Sequence, residues 1–188
     1  MFKNYGNGRD VVNIATKKMH YIFIVGVVPL LLFLLIYMNN QSSNILGFIS
    51  DISNGVPELM SANNPLLSSV MSFYVKTSPL YGVVFFLIAH KDLKLNTSLP
   101  LMKVIIALLL FTLFYLLMSY FLLAYEVELT ESGRFVRFLS GNNYLLTAFF
   151  IGVFYVCYTL TCYYISFIFA VCMILKMKIK MKKMNFIL

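Results

Sequence analysis

A single lysine, Lys76, stands inside a run of otherwise apolar residues and is followed by Thr77, Ser78 and Pro79. An ionisable group within an apolar span is costly in lipid and marks one of two things. Either it binds a partner, or its four-carbon stem snorkels to a water boundary roughly two turns away. The residue types that could do covalent or metal chemistry are arranged less well. His20 and His90 could approach each other, but no carboxylate or cysteine has metal-ligand spacing with them. Cys157, Cys162 and Cys172 lie in one apolar run without a Cys-x-x-Cys, and they read as small polarizable packing residues. There is no glycine-rich phosphate loop and no Ser–His pair at a shared depth. These residues point to recognition rather than catalysis: no enzyme, no cofactor and no metal is expected.

Two pairs of small residues sit four apart, Ser78 with Gly82 and Ala148 with Gly152. In lipid no hydrophobic drive holds helices together, so close backbone approach at small residues supplies the packing. Such pairs either pack the chain's own bundle or form a groove for helices of another membrane-inserted protein. Thr159, Thr161 and Ser166 carry the same two readings.

The elements that must position these residues are helices. Four apolar runs, residues 21–38, 70–89, 104–125 and 145–175, fill most of the chain. Each is close to or above the roughly 18–20 residues that carry a helix across a hydrocarbon core of about 30 Å. With 61% hydrophobic residues and a mean hydropathy of +0.85, the expected fold is all-α. It is a polytopic integral membrane protein, four transmembrane helices in an antiparallel bundle, and one membrane domain over residues 1–188. The first run is too long for a signal-peptide core, and Asn39–Ser43 lacks a cleavage pattern, so it is expected to stay as the first helix. The net charge of +8 is no nucleic-acid footprint, because the basic residues are sorted by topology. Only Lys76, Arg134 and Arg137 of the 15 fall outside the segments that are cytoplasmic when the N-terminus is inside. That is the positive-inside pattern, and it puts both termini in the cytoplasm.

The connectors follow from this topology. Residues 90–103 form the inner connector, with a polar turn at Asn96–Ser98, and 39–69 and 126–144 form the outer ones. Asp51, Glu58, Glu126, Glu128 and Glu131 all fall in the outer connectors, which suits contact with another protein. In the first, Ile45, Leu46, Phe48, Ile49 and Ile52 predict a short helix lying in the membrane interface, with Ser50, Asp51 and Ser53 toward water. In the second, a small hairpin and a one-turn helix both fit. Residues 1–20 are polar and basic, with a mobile start. The fourth run must tilt or project into the cytoplasm, where its polybasic end, Lys176–Lys183, suits anionic lipid.

Two stretches carry a family resemblance. One reads Asn64–Pro65–Leu66, Val70–Met71, Tyr74 and Lys76–Thr77–Ser78–Pro79; the other reads Glu128–Leu129–Thr130, Gly133–Arg134 and Val136–Arg137. Together with the order of the runs, Pro29 and the basic tail, they resemble immunity proteins against pore-forming colicins of the colicin A type. That resemblance implies a protein of the bacterial inner membrane, often plasmid-encoded beside its toxin gene. It would bind the pore-forming domain of a cognate colicin, through the toxin's hydrophobic helical hairpin, and keep the channel from opening. On this reading Lys76, Thr77, Ser78, Gly82, Glu128, Arg134, Arg137, Ala148 and Gly152 are the candidate partner-binding residues. A small transporter or channel subunit predicts more than one intramembrane charge facing a cavity. A membrane scaffold predicts an envelope defect on deletion even without toxin.

Overall fold

The computed structural model describes residues 8–53, 55–92 and 100–184. The Asn96–Ser98 turn and the extreme N-terminus lie outside the described residues, as do the side chains at the end of the basic tail. The elements run α1 (Gly8–Asn39), α2 (Asn44–Ser53), β1 (Leu59–Met60), α3 (Pro65–Val75), α4 (Ser78–Ala89), α5 (Leu101–Ser119), β2 (Val127–Glu128), α6 (Arg134–Ser140) and α7 (Asn143–Met184). A 3-10 turn, His90–Asp92, follows α4, and a π-helical turn, Tyr120–Ala124, extends α5. Four stretches are long and apolar enough to cross a membrane: Ile14–Asn39, Pro65–Asp92, Met102–Ala124 and Asn143–Ile179.

α7 is the central post, packed against α1, α3, α4, α5 and α6. Its buried residues Leu146, Phe150, Val153, Phe154, Cys157, Tyr158, Thr161 and Cys162 recur at helical spacing and form one stripe. α1 answers with Leu30, Leu34 and Tyr37, and α3 is buried on most sides. The remaining surfaces of α1 and α4 stay apolar and exposed, as lipid-facing helices require. α5 is the extreme case. Only 6% of its most apolar stretch is buried, against 50% for α7. It leans on α7 through a Tyr115–Tyr164 stack, centroids 4.4 Å apart, and through Val104 against Val171 and Ile174.

Several expectations need correction. The second apolar run is not one helix: it breaks at Lys76–Thr77, between α3 and α4. Pro79 has no N–H to give Val75, and its ring crowds that carbonyl, so the chain closes with tighter bonds, Lys76 N to Phe73 O and Thr77 N to Tyr74 O. The short helix α2 forms, but Ser50 and Ser53 turn toward the protein, where they meet Ser69. The outward side is instead Ile45, Phe48 and Ile52. The second of the two connectors forms neither a hairpin nor a single turn. Its start pairs in parallel with β1, Leu59 opposite Val127 and Met60 opposite Glu128, and the longer helix α6 follows. The excess length expected of the fourth run is no correction, but it is larger than the apolar part implies: α7, at 42 residues, is about 63 Å long, well beyond a hydrocarbon core.

The candidate interaction surface at the connector end

The segments 40–53, 55–64 and 125–142 gather at one end of the bundle, and serines hold them there. β1 has neighbours on both edges. On one side Val127 N–H donates to the Glu58 carbonyl at 3.2 Å and Leu129 N–H to the Met60 carbonyl at 2.7 Å. On the other, Leu59 N–H donates to Ser72 Oγ and Ser61 N–H to Ser68 Oγ, both at 3.0 Å. α3 thus offers Ser68 and Ser72, one turn apart, as stand-ins for a third strand. Ser69 on the same helix donates to Glu58 Oε1 at 3.0 Å and meets Ser50 and Ser53 of α2 at 3.2 and 3.1 Å. Ser61 Oγ donates to the Ser140 carbonyl at 3.1 Å, which ties in the end of α6. An unpaired buried backbone N–H costs about as much as a lost hydrogen bond, so these hydroxyls are what lets an extended strand lie beside an apolar bundle.

Lys76 is part of this clasp. Its ammonium donates to the carbonyl of Pro57, so the cation reaches out of α3's end and pins the segment before β1. Thr77 Oγ1 donates to the Tyr74 carbonyl at 2.7 Å. Between α2, α3 and the segment leading into β1 lies an open cleft of about 470 Å³, lined by Ser50, Val56, Pro57, Glu58, Leu66 and Glu126.

The other candidate residues divide by exposure. Ser78 and Gly82 are buried: a methyl group added at Gly82 would stand 2.7 Å from Thr161 Cβ, so this pair seats α4 against α7. Ala148 and Gly152 have the same spacing and the opposite placement. Both are exposed on α7, and a side chain at Gly152 would meet nothing within 4 Å. Val156 and Tyr163 extend that open face, and Tyr155 borders it with its ring edge-on to Phe23 of α1. Glu128, Arg134 and Arg137 are exposed at the connector end. Thr130 links two of them, donating to Glu128 Oε1 at 2.6 Å and accepting from Arg137 Nε at 2.8 Å. Thr161 and Ser166 bond the carbonyls one turn back in α7, at Cys157 and Cys162.

Sequence reasoning missed the serines and an aromatic cluster beneath them. Tyr74 OH donates to the Gly26 carbonyl at 2.8 Å and lies 2.9 Å from Tyr81 OH, while Phe154 stacks on Tyr74. The signal was present in Ser68, Ser69 and Ser72, three hydroxyls on one apolar helix. At the opposite end Lys18 and Asp92 form an ion pair at 2.6 Å, joining α1 to the 3-10 turn. Among the described residues no three His, Cys, Asp or Glu side chains group so as to hold a metal ion.

Residues 42–183 match the family described as colicin immunity protein, a stretch that covers both connectors and the last three long helices. The chain is 29% identical over 140 residues to the colicin-A immunity protein of Citrobacter freundii, covering 74% of this chain and 79% of that one. It is 26% identical over 155 residues to the colicin-B immunity protein of Escherichia coli, 82% and 89% of the two chains. A shorter match, 35% over 79 residues, links it to the colicin-N immunity protein of Escherichia coli, 42% and 60% of the two chains. No solved structure matches the fold.

Proposed function

The chain belongs to the colicin immunity protein family, and on that premise we propose that it protects a cell by binding the pore-forming domain of one cognate colicin within the inner membrane, so that the channel does not open. The observation that carries this reading is the family match over residues 42–183. It runs through the whole connector end and the helices beneath it. The positive-inside distribution supports cytoplasmic termini and a periplasmic connector end, where a toxin entering from outside would arrive.

The toxin hairpin offers apolar helices with few charges, so recognition rests on van der Waals fit at small residues and on a few polar contacts at the boundary. Ala148 and Gly152 leave α7's backbone open on a face that no helix covers among the described residues, and they supply the fit. Glu128, Arg134 and Arg137 supply the boundary contacts. Lys76, Thr77, Ser78 and Gly82 contribute from within, by shaping the connector end and the α4–α7 seam. Binding alone accounts for the activity, and no bond is made or broken.

Survival tests the reading. The chain is expressed in a sensitive strain carrying the receptor and import machinery, which is then challenged with purified pore-forming colicins, A, B and N among them, and with nuclease colicins. Protection against one or two pore formers, with nuclease killing unchanged, is the expected result. Protection against every colicin, nuclease types included, would mean a block in uptake and would overturn it.

A further inference from the structure

α2 and α6 each hide one face and leave an apolar one bare. In α2, Leu46 and Ser53 are buried and Ile49 packs on the core, while Ile45, Phe48 and Ile52 are 61%, 66% and 55% exposed. In α6, Ser140 is buried and Val136 packs on the core, while Phe135 and Phe138 are 73% and 67% exposed. The inward faces are already satisfied by this chain, so the bare faces are not halves of a missing core. They belong to short helices at the ends of long ones: α2 follows the end of α1, and α6 precedes the start of α7.

We infer that α2 and α6 are a pair of interfacial anchors, whose Ile45–Phe48–Ile52 and Phe135–Phe138 faces seat in the boundary between headgroups and acyl chains of a phospholipid bilayer. Three observations select lipid as the occupant. First, the neighbouring long helix is bare and apolar at this end too, with Leu35 and Met38 of α1 exposed just before α2. Second, Tyr120, Tyr125 and Tyr144 are exposed at the same end, and tyrosines collect where a membrane meets water. Third, the bare face of α6 is flanked by the exposed Arg134, whose guanidinium suits a lipid phosphate at that depth. Asp51 is also exposed on α2, outside the Ile45–Phe48–Ile52 set. With the serines of α2 turned inward, its outward face is more apolar than an interface helix that kept them toward water. The two anchors, clamped to α3 and α7, fix how deep the bundle sits. This inference stands apart from the immunity reading and survives its failure.

The chain has no tryptophan, so Phe48→Trp and Phe138→Trp each introduce a lone probe at an exposed site that disturbs no packing. The full-length variants are reconstituted in phosphatidylethanolamine–phosphatidylglycerol vesicles. Emission and quenching are then read with lipids brominated at shallow and deep acyl positions, and with aqueous iodide. The expected result at both positions is blue-shifted emission, stronger quenching by the shallow bromolipid than by the deep one, and iodide quenching several-fold below that of free tryptophan. Red-shifted emission with full iodide quenching at either position would overturn it. So would iodide protection that appears only after a colicin pore-forming domain is added, because the faces would then be protein docking surfaces.

Discussion

The hydroxyl of Ser68 accepts a hydrogen bond from the backbone N–H of Ser61 at 3.0 Å while donating to the carbonyl of Asn64, the residue that caps its own helix one turn back. The hydroxyl is thus used twice, once to stay in α3 and once to hold β1. Replacing it leaves the Ser61 amide buried without a partner, a loss of about 1–3 kcal/mol. Ser68→Ala and Ser72→Ala are each expected to speed protease cleavage in the segment 55–64 and to lower the midpoint of SDS unfolding. Variants with wild-type cleavage would mean that the clasp is dispensable.

Lys76 acts as a tether on Pro57. Half-exposed as it is, the bond contributes on the order of 1 kcal/mol. Lys76→Met is expected to loosen the connector measurably and to reduce protection partly, with Lys76→Arg restoring much of both. Complete loss of protection in Lys76→Met protein whose connector stays wild-type by proteolysis would instead make Lys76 a direct toxin contact.

The two small-residue pairs make opposite predictions. Gly82→Leu drives a side chain into Thr161 and is expected to cost about 1–3 kcal/mol or more, seen as less protein in the membrane. Gly152→Leu meets open space, so the amount of protein should stay normal. Protection should nevertheless fall by about tenfold or more in tolerated colicin titre, equivalent to roughly 1.4 kcal/mol of lost binding. Full protection with Gly152→Leu would remove α7's open face from the contact.

Tyr74 spends its proton on the Gly26 carbonyl, so the bond between the two phenols is donated by Tyr81. Tyr74→Phe therefore breaks two bonds and Tyr81→Phe one. Tyr74→Phe is expected to destabilise more, and the double variant should be little worse than Tyr74→Phe alone. Coupling of about 0.6 kcal/mol is ordinary within membrane bundles. SDS unfolding of the four proteins gives the cycle, and strictly additive losses would argue against the shared bond.

Hydropathy made the four long helices legible, because lipid demands long apolar runs and says so in composition. Their ends were less so. α1 starts at Gly8 and α7 runs to Met184, since backbone hydrogen bonding continues into water after the apolar run stops. Which face looks inward could not be read either: Ser78–Gly82 and Ala148–Gly152 have identical spacing, and only the tertiary arrangement makes one a seam and leaves the other bare. Pairing of β1 with β2 joins residues 68 positions apart through two-residue strands, too short to show any alternation. The break after Val75 had its signal in Pro79, and the serine clasp had one in Ser68, Ser69 and Ser72 once hydroxyls on a buried helix are asked what they bond.

The most direct measurement removes the cell. Vesicles loaded with potassium are prepared with and without the purified chain, and the isolated pore-forming domain of the colicin singled out by survival is added under a membrane potential. With receptor and import machinery absent, only events in the bilayer remain. Suppression of potassium efflux that rises with the amount of chain, and is lost with the pore-forming domain of a colicin it does not protect against, is the predicted result. Efflux unchanged by the chain would contradict direct block of the channel in the membrane.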